Sequence, residues 1–307
     1  MVLSSPAHAA PFAYVSHERS GTVSVIDTAT HKVVSTLKVG ARPRGIHVNG
    51  NRVFVALSDT ATRAQSAADA IVAIDPAGRR ILARYDAGSD PEQFAVSRDG
   101  TTLYASNEDA GTVSINTRGK VAATLIVGIE PEGVALSPDG RWVYVTAETS
   151  NTVSVIDTQA RKVVASFLVD PRPRAAAFSP DGKHAWVTAE IGGTLSEVDT
   201  AKHQVIRRID LGRSKPVGVA VSPDGHRVYV ANGHGDSVSV VDAAKGTVIS
   251  TIPVGRRPWG IALTADGRKL YTANGLSNDV SVIDTRSLKV IATIKAGDGP
   301  WGVAMGR

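Results

Sequence analysis

The chain contains no cysteine. That excludes disulfides, a thiol nucleophile and any cysteine-ligated zinc or iron–sulfur centre. A chain of 307 residues can bury enough apolar surface to fold without such staples. Aromatic residues are also scarce, at 5%, so the core falls to Val, Ile, Leu and Ala. No apolar run is long enough to span a bilayer. There is no G-x-S-x-G elbow, no H-E-x-x-H and no P-loop. His17-Glu18 opens like the second of these, but no second His follows at the required spacing. The net charge of +5 is spread along the chain without a Lys/Arg-rich run. It therefore reads as a soluble basic surface rather than a nucleic-acid footprint.

What the chain does have is repetition. The string VSVIDT and its variants recur, with the Asp position at 27, 75, 116 (Asn there), 157, 199, 242 and 284. The separations are 48, 41, 41, 42, 43 and 42 residues. Each unit reads as four short strands, for example GVALS (133–137), RWVYVTA (141–147), TVSVIDT (152–158) and KVVASFLV (162–169). SPDG turns join the first two at 137–140, 179–182 and 222–225. In the second unit, Asn49-Gly50 is expected to make a two-residue type I′ turn. The strands alternate large with small residues, which suits sheets buried on both faces. Four-stranded units of this length stacked radially make an all-β, seven-bladed β-propeller. The chain begins with a second strand (12–17) and stops after a first strand (302–306), so these are expected to share one blade and close the ring. The propeller takes residues 10–307 as one domain, expected to be a monomer. Residues 1–9 read as the tail of a secretory signal, on Ala7-His8-Ala9, which implies export to the periplasm.

YVTA (144–147), YVAN (229–232), SPDG and VSVIDT match the YVTN-type propeller repeat. The loop strings differ from blade to blade: DPEQF (90–94), SNED (106–109), VGIEPEG (127–133), LVDPRPR (168–174), TAEIGGT (188–194) and NGLSNDVSVIDT (274–285). In these the chain resembles the periplasmic seven-bladed propellers associated with PQQ-dependent alcohol catabolism. The resemblance implies a context of quinoprotein alcohol oxidation and a transport system, with a quinoprotein or transporter component as partner. It does not imply a reaction. The Thr117-Arg118-Gly119 turn departs from the pattern.

In a propeller, the loops before the first strand and between the second and third share one face, the top. The bottom loops are near-uniform, whereas the top loops vary, and binding residues gather on such loops. The residue between Pro and Gly in the P-x-G frame starts each inner strand, at the rim of the central channel. In ring order it is Trp301, Arg44, Glu92, Glu132, Arg174, Val217 and Trp259. The second-to-third-strand loops add Glu18, Glu108, Glu148 and Glu190, with His17, Asn107 and His234.

These residues support several readings. Glu108, Glu132, Glu148 and Glu190 supply hard oxygen ligands, suited to Ca²⁺ or a lanthanide-like ion. Alternatively, Arg44 and Arg174 clamp carboxylates while Trp259 and Trp301 stack on a flat ring, which fits PQQ. The same alternation of Arg and Glu could instead be a salt-bridge belt holding blades together. A lactonase-like hydrolase or lyase using Glu132 or Glu148 is a rival by fold analogy. A protein- or nucleic-acid-binding platform is a third. His31, His184, His203 and His226 are expected at exposed bottom or edge positions. His47 stands where Ala135 stands in another blade and is expected to be buried and hydrogen-bonded.

Overall fold

Each repeat forms a four-stranded antiparallel sheet, and seven sheets stand in a ring. The computed structural model describes residues 12–59, 66 and 68–306; the Ala7-His8-Ala9 signal lies outside them. Blade 1 pairs the last strand, Pro300–Met305, with Phe12–His17, then adds Thr22–Asp27 and Lys32–Lys38. Its register is Ala13↔Met305, Tyr14↔Ala304 and Val15↔Val303, so the two ends of the chain close the ring. The inner strands of blades 2 to 7 are Ile46–Asn49, Pro91–Val96, Pro131–Leu136, Pro173–Phe178, Pro216–Val221 and Pro258–Leu263. Among the described residues the helical content is one short 3₁₀ turn, Gly212–Ser214. None of their helices is long and apolar enough to cross a membrane.

The core lies between blades. Second and third strands such as Trp142–Ala147 and Thr152–Asp157 are buried along most of their length. The outer strands are not. Lys162–Leu168 is mostly exposed, so burial on both faces holds only for the middle of each sheet. Aromatic residues bridge neighbouring blades, as where Tyr144 meets Phe178 with ring centroids 4.7 Å apart.

The bottom turns satisfy themselves. In the turn at 137–140, Ser137 Oγ donates to Asp139 Oδ1 (2.5 Å), which also accepts the Arg141 N–H at 3.0 Å. The second blade's hairpin differs from expectation. Asn49 still pairs with Arg52 in the ladder, so the central residues are Gly50-Asn51. Only Gly50 has positive φ, at 58°, the pattern of a type II′ rather than a type I′ turn. The type I′ geometry falls instead at Arg118 (φ 51°) and Gly119 (φ 85°), between paired Thr117 and Lys120.

Three of the four histidines expected at the surface have partners. His31 Nδ1 lies 3.1 Å from Tyr271 Oη, and His203 Nδ1 lies 2.7 Å from Tyr144 Oη. His184 contacts Glu197 at 3.0 Å. Each is half-buried, while His226 is exposed. Their rings reach across blade boundaries, or to a buried acid, from turn and strand-end positions. His47 sits in the channel wall edge-on to Phe94, 4.9 Å between centroids. Burial lowers its pKa to about 4, against a hydrogen bond to the Phe94 backbone.

Candidate functional site

Three positions per blade build the top of the channel: the residue before Pro, the residue after it, and the residue that follows the second strand. The residue before Pro is left-handed in every blade: Arg42, Asp90, Glu130, Arg172, Lys215 and Arg257 have φ of 42–62°, and Gly299 has 70°. Pro disfavours the helical region for the residue before it, and an L-residue in the left-handed region gives up about 1–2 kcal/mol. The repeated hydrogen bond that offsets this strain is visible in six blades. The carbonyl of the pre-Pro residue accepts the N–H of the loop residue: Asp90 from Glu108 (3.2 Å), Glu130 from Glu148 (2.9 Å), Arg172 from Glu190 (2.8 Å), Lys215 from Gly233 (2.8 Å), Arg257 from Gly275 (2.9 Å) and Gly299 from Glu18 (2.8 Å). The strained backbone thus seats the loop residue beside the P-x-G frame.

The slot after Pro is fixed by its backbone and left free in its side chain. Its carbonyl accepts a hydroxyl from the preceding blade: Arg44 from Ser16 (2.5 Å), Glu132 from Ser106 (2.7 Å), Arg174 from Thr146 (3.2 Å) and Val217 from Thr188 (2.6 Å). The next residue is Gly where two inner strands press together. A Cβ on Gly133 would lie 2.4 Å from Arg174 O, and one on Gly218 2.3 Å from Trp259 O.

Five of the seven slot side chains are buried, and Arg44 and Trp259 are partly so. Glu92, Glu132, Arg174, Val217 and Trp301 are all under a tenth exposed. Six of them form a continuous belt. Arg44 pairs with Glu92 and stacks over Trp301 at 5.8 Å. Trp301 meets Trp259 edge-on at 6.0 Å. Arg174 stacks on Trp259 at 4.8 Å and pairs with Glu132 at 2.8 Å. Both indole Nε1–H groups are buried without a hydrogen-bond partner, a condition that costs about 1–3 kcal/mol per group.

The four Glu residues expected to share one metal site are divided between two networks. Glu132, Glu148 and Glu190 surround blade 5's arginines. Arg174 Nη1 also donates to Glu148, and Arg172 Nε lies 2.8 Å from Glu148 and 3.1 Å from Glu190. Glu108 belongs to the other network, with Asp90 and Glu92. There Arg44 holds Glu18 (2.8 Å) as well as Glu92, and Arg42 Nη1 donates to Asp90 Oδ1 (2.8 Å). Asp90, Glu92 and Glu108 each offer a ligand oxygen within 4.8 Å of the others. Asp90 went unrecognised in the sequence because it is the residue before Pro, a position with no apparent reason to point inward. Its signal was there: that position carries charge in every blade but the first. Blade 4 has the same acidic triplet, yet Glu130 turns away to Thr149 and Arg174 enters between the other two.

Seven carboxylates meet four guanidiniums across these networks, and the unmet negative charge appears as retained protons. Burial, then the neighbouring Glu92 charge and hydrogen bond, push Glu108 up to about 8. Burial raises Glu132 well above the carboxylate range, with Glu148 adding to the rise against Arg174. Glu92 goes the other way: Arg44, Arg42 and a hydrogen bond from Glu108 outweigh the penalty of burial.

His17 and Asn107 serve the scaffold. His17 Nε2 lies 2.8 Å from Ser24 Oγ, where Asn107, Asn232 and Asn274 donate to Ser114, Ser239 and Ser281 at 2.8, 2.8 and 2.9 Å. Burial lowers His17 to about 4, so it stays neutral. His234 is exposed. Below the belt, the lower channel opens into a cavity of about 880 Å³ lined mainly by apolar residues with His47.

The YNCE-like beta-propeller family matches residues 117–227 of this chain. No curated protein matches it. Among solved structures, it is similar to hydrazine synthase of Kuenenia stuttgartiensis, with TM-score 0.79, 20% identity, and 92% of this chain and 98% of that chain covered. A functionally unknown protein of Desulfotomaculum acetoxidans superposes with TM-score 0.79 at 18% identity, covering 96% of this chain and 99% of the other. A candidate 6-phosphogluconolactonase of Bacteroides fragilis gives TM-score 0.79 at 18% identity, covering 99% and 100%. At these identities the likeness is one of fold.

Proposed function

We propose that this chain is a non-catalytic binding propeller whose ligand is a hard cation held by Asp90, Glu92 and Glu108 at the top of blade 3. The observation that carries this reading is the crowding of that trio: three carboxylates share one spot, of the three Arg42 and Arg44 meet only Asp90 and Glu92, and Glu108 keeps its proton to about 8. Ca²⁺ takes oxygen ligands at about 2.3–2.6 Å, so ligands on opposite sides of one ion stand about 5 Å apart. The 4.8 Å spread of the trio fits within that span. A lanthanide ion, also hard, suits the same donors. The alternative clamp for a polycarboxylate has less support, because Arg44 and Arg174 already hold carboxylates of their own. Glu132, the base of a hydrolytic reading, is likewise buried and paired.

The same reading assigns the chain to the periplasm, as an accessory to PQQ-linked alcohol oxidation or its transport system. Its support is the A-x-A segment and the resemblance of the blade-specific loop strings. Calorimetry with Ca²⁺ and La³⁺ tests the cation. Binding with release of a proton near neutral pH is expected, abolished in Glu108→Gln; silence with both ions would overturn the reading.

A further inference from the structure

A second top-face site follows from Arg257: among the described residues, it alone of the arginines directly before or after the inner-strand Pro has no acid partner for its side chain. In blades 1, 3, 4 and 5 the residue after the second strand is Glu18, Glu108, Glu148 or Glu190; in blades 6 and 7 it is Gly233 or Gly275. Arg42, Arg44, Arg172 and Arg174 each reach one or more of those acids. Arg257 reaches none. It packs over Trp259 at 4.9 Å and forms no ion pair among the described residues. The missing Glu side chain leaves a cavity of about 240 Å³ in front of it, lined by Arg257, Trp259, Gly275, Leu276, Trp301 and, from blade 1, Glu18. Arg19 and Arg44 flank the opening, but they are occupied by Asp298 and by Glu18 and Glu92.

We infer that this cavity binds a small carboxylate with a flat apolar body, its carboxylate on Arg257 and its body against the Trp pair. Three features converge on that chemistry. The guanidinium is a fork of donors matched to a carboxylate. Two ring walls at 6.0 Å, set edge to face, offer apolar surface to a flat group. Glu18, the carboxylate in the lining, is already held by Arg42 at 3.2 Å and Arg44 at 2.8 Å, which leaves Arg257 as the lining cation without a carboxylate partner. The volume equals that of about eight waters at about 30 Å³ each, which suits one ring with its carboxylate. This site is separate from the acidic trio: it selects an anion where the trio selects a cation.

Calorimetric titration with benzoate and with benzamide, its neutral counterpart, tests the inference. Benzoate is expected to bind at least tenfold more tightly than benzamide. Arg257→Gln should weaken benzoate at least tenfold with an unchanged melting temperature, because the side chain lies at the surface of the pocket. Gly275→Glu should also abolish benzoate binding, by giving Arg257 the internal acid that other blades possess. A Cβ there comes 3.2 Å from Pro300 O, a contact that a small shift accommodates. No benzoate binding at 10 mM would overturn the inference, as would equal affinity for benzamide or full affinity in Arg257→Gln. Glu108→Gln should leave benzoate binding intact, so failure of the cation site and failure of this one are told apart.

Discussion

Glu92 and Glu108 are two carboxyls of one blade with opposite behaviour. Glu92 lies against Arg44 and ionises readily; Glu108 lies against Glu92 and does not. The difference decides the pH dependence of the fold. Between the ordinary value of 4.5 and about 8, native Glu108 holds a proton that the unfolded chain has lost. The stability it confers is complete below the lower value and disappears as pH rises through the upper one, with a slope of at most about 1.4 kcal/mol per pH unit. Glu108→Gln, an uncharged substitute, should therefore melt higher than the parent at pH 8–9 and near it at pH 5, as read by thermal denaturation. Saturating Ca²⁺ should remove the same penalty in the parent, because the ion takes the place of the proton; stabilisation of about 2.7 kcal/mol is expected at a hundredfold excess over Kd. Glu132 was legible as an asymmetric slot in the sequence, but its pairing was not. That depends on Arg174 reaching back from the next blade.

At the scale of the element, the Pro-x-Gly frame is a device for joining blades. Pro opens the inner strand, the middle residue lends its carbonyl to the neighbouring hydroxyl, and Gly lets the next inner strand approach. The frame was readable as a repeat, and so was its variable slot. The left-handed residue before Pro was not, since six of the seven are ordinary charged residues and only the hydrogen bond to the loop explains the conformation. Gly218→Ala tests the packing role of the frame. Its Cβ would meet Trp259 O at 2.3 Å, and overpacking of this kind costs about 1–3 kcal/mol, measurable by urea denaturation. Gln93 and Ala175 hold the equivalent position in blades 3 and 5, so the frame accepts a side chain where the adjoining strand is set for it. The second blade's turn shows the same limit of sequence reading. Asn49-Gly50 signals a tight hairpin correctly, but the ladder decides which two residues form its tip.

The whole molecule is a ring with one joint and a polarised top. The joint is the pairing of Phe12–His17 with Pro300–Met305, finished by the Gly306 N–H donating to Phe12 O at 2.7 Å. Removing residues 300–307 deletes the inner strand of blade 1 and exposes the edges of blades 1, 2 and 7 toward the channel. Such a chain should lose the cooperative transition of the parent and bind hydrophobic dye, as followed by calorimetry and fluorescence. The polarity of the top lies in the order of the triplets. Acids concentrate on blades 3 to 5, and blades 6 and 7 carry Lys215, Arg257 and glycines. A cation and an anion therefore find separate places on one face.

The sequence alone determined the architecture, because a period near 42 residues with period-2 strands and SPDG turns suits radially stacked four-stranded sheets, and seven copies of the VSVIDT string give seven blades. It also marked the variable slots, since a scaffold that repeats everywhere else makes any departure visible. Only the tertiary structure decided which charges meet. Those contacts run between blades, from Arg44 to Glu92 and from Arg174 to Glu132 and Glu148, and their reach depends on backbone turns and side-chain lengths that no repeat pattern encodes. The division of the glutamates into two networks, the inclusion of Asp90 in the trio and the isolation of Arg257 all follow from that geometry.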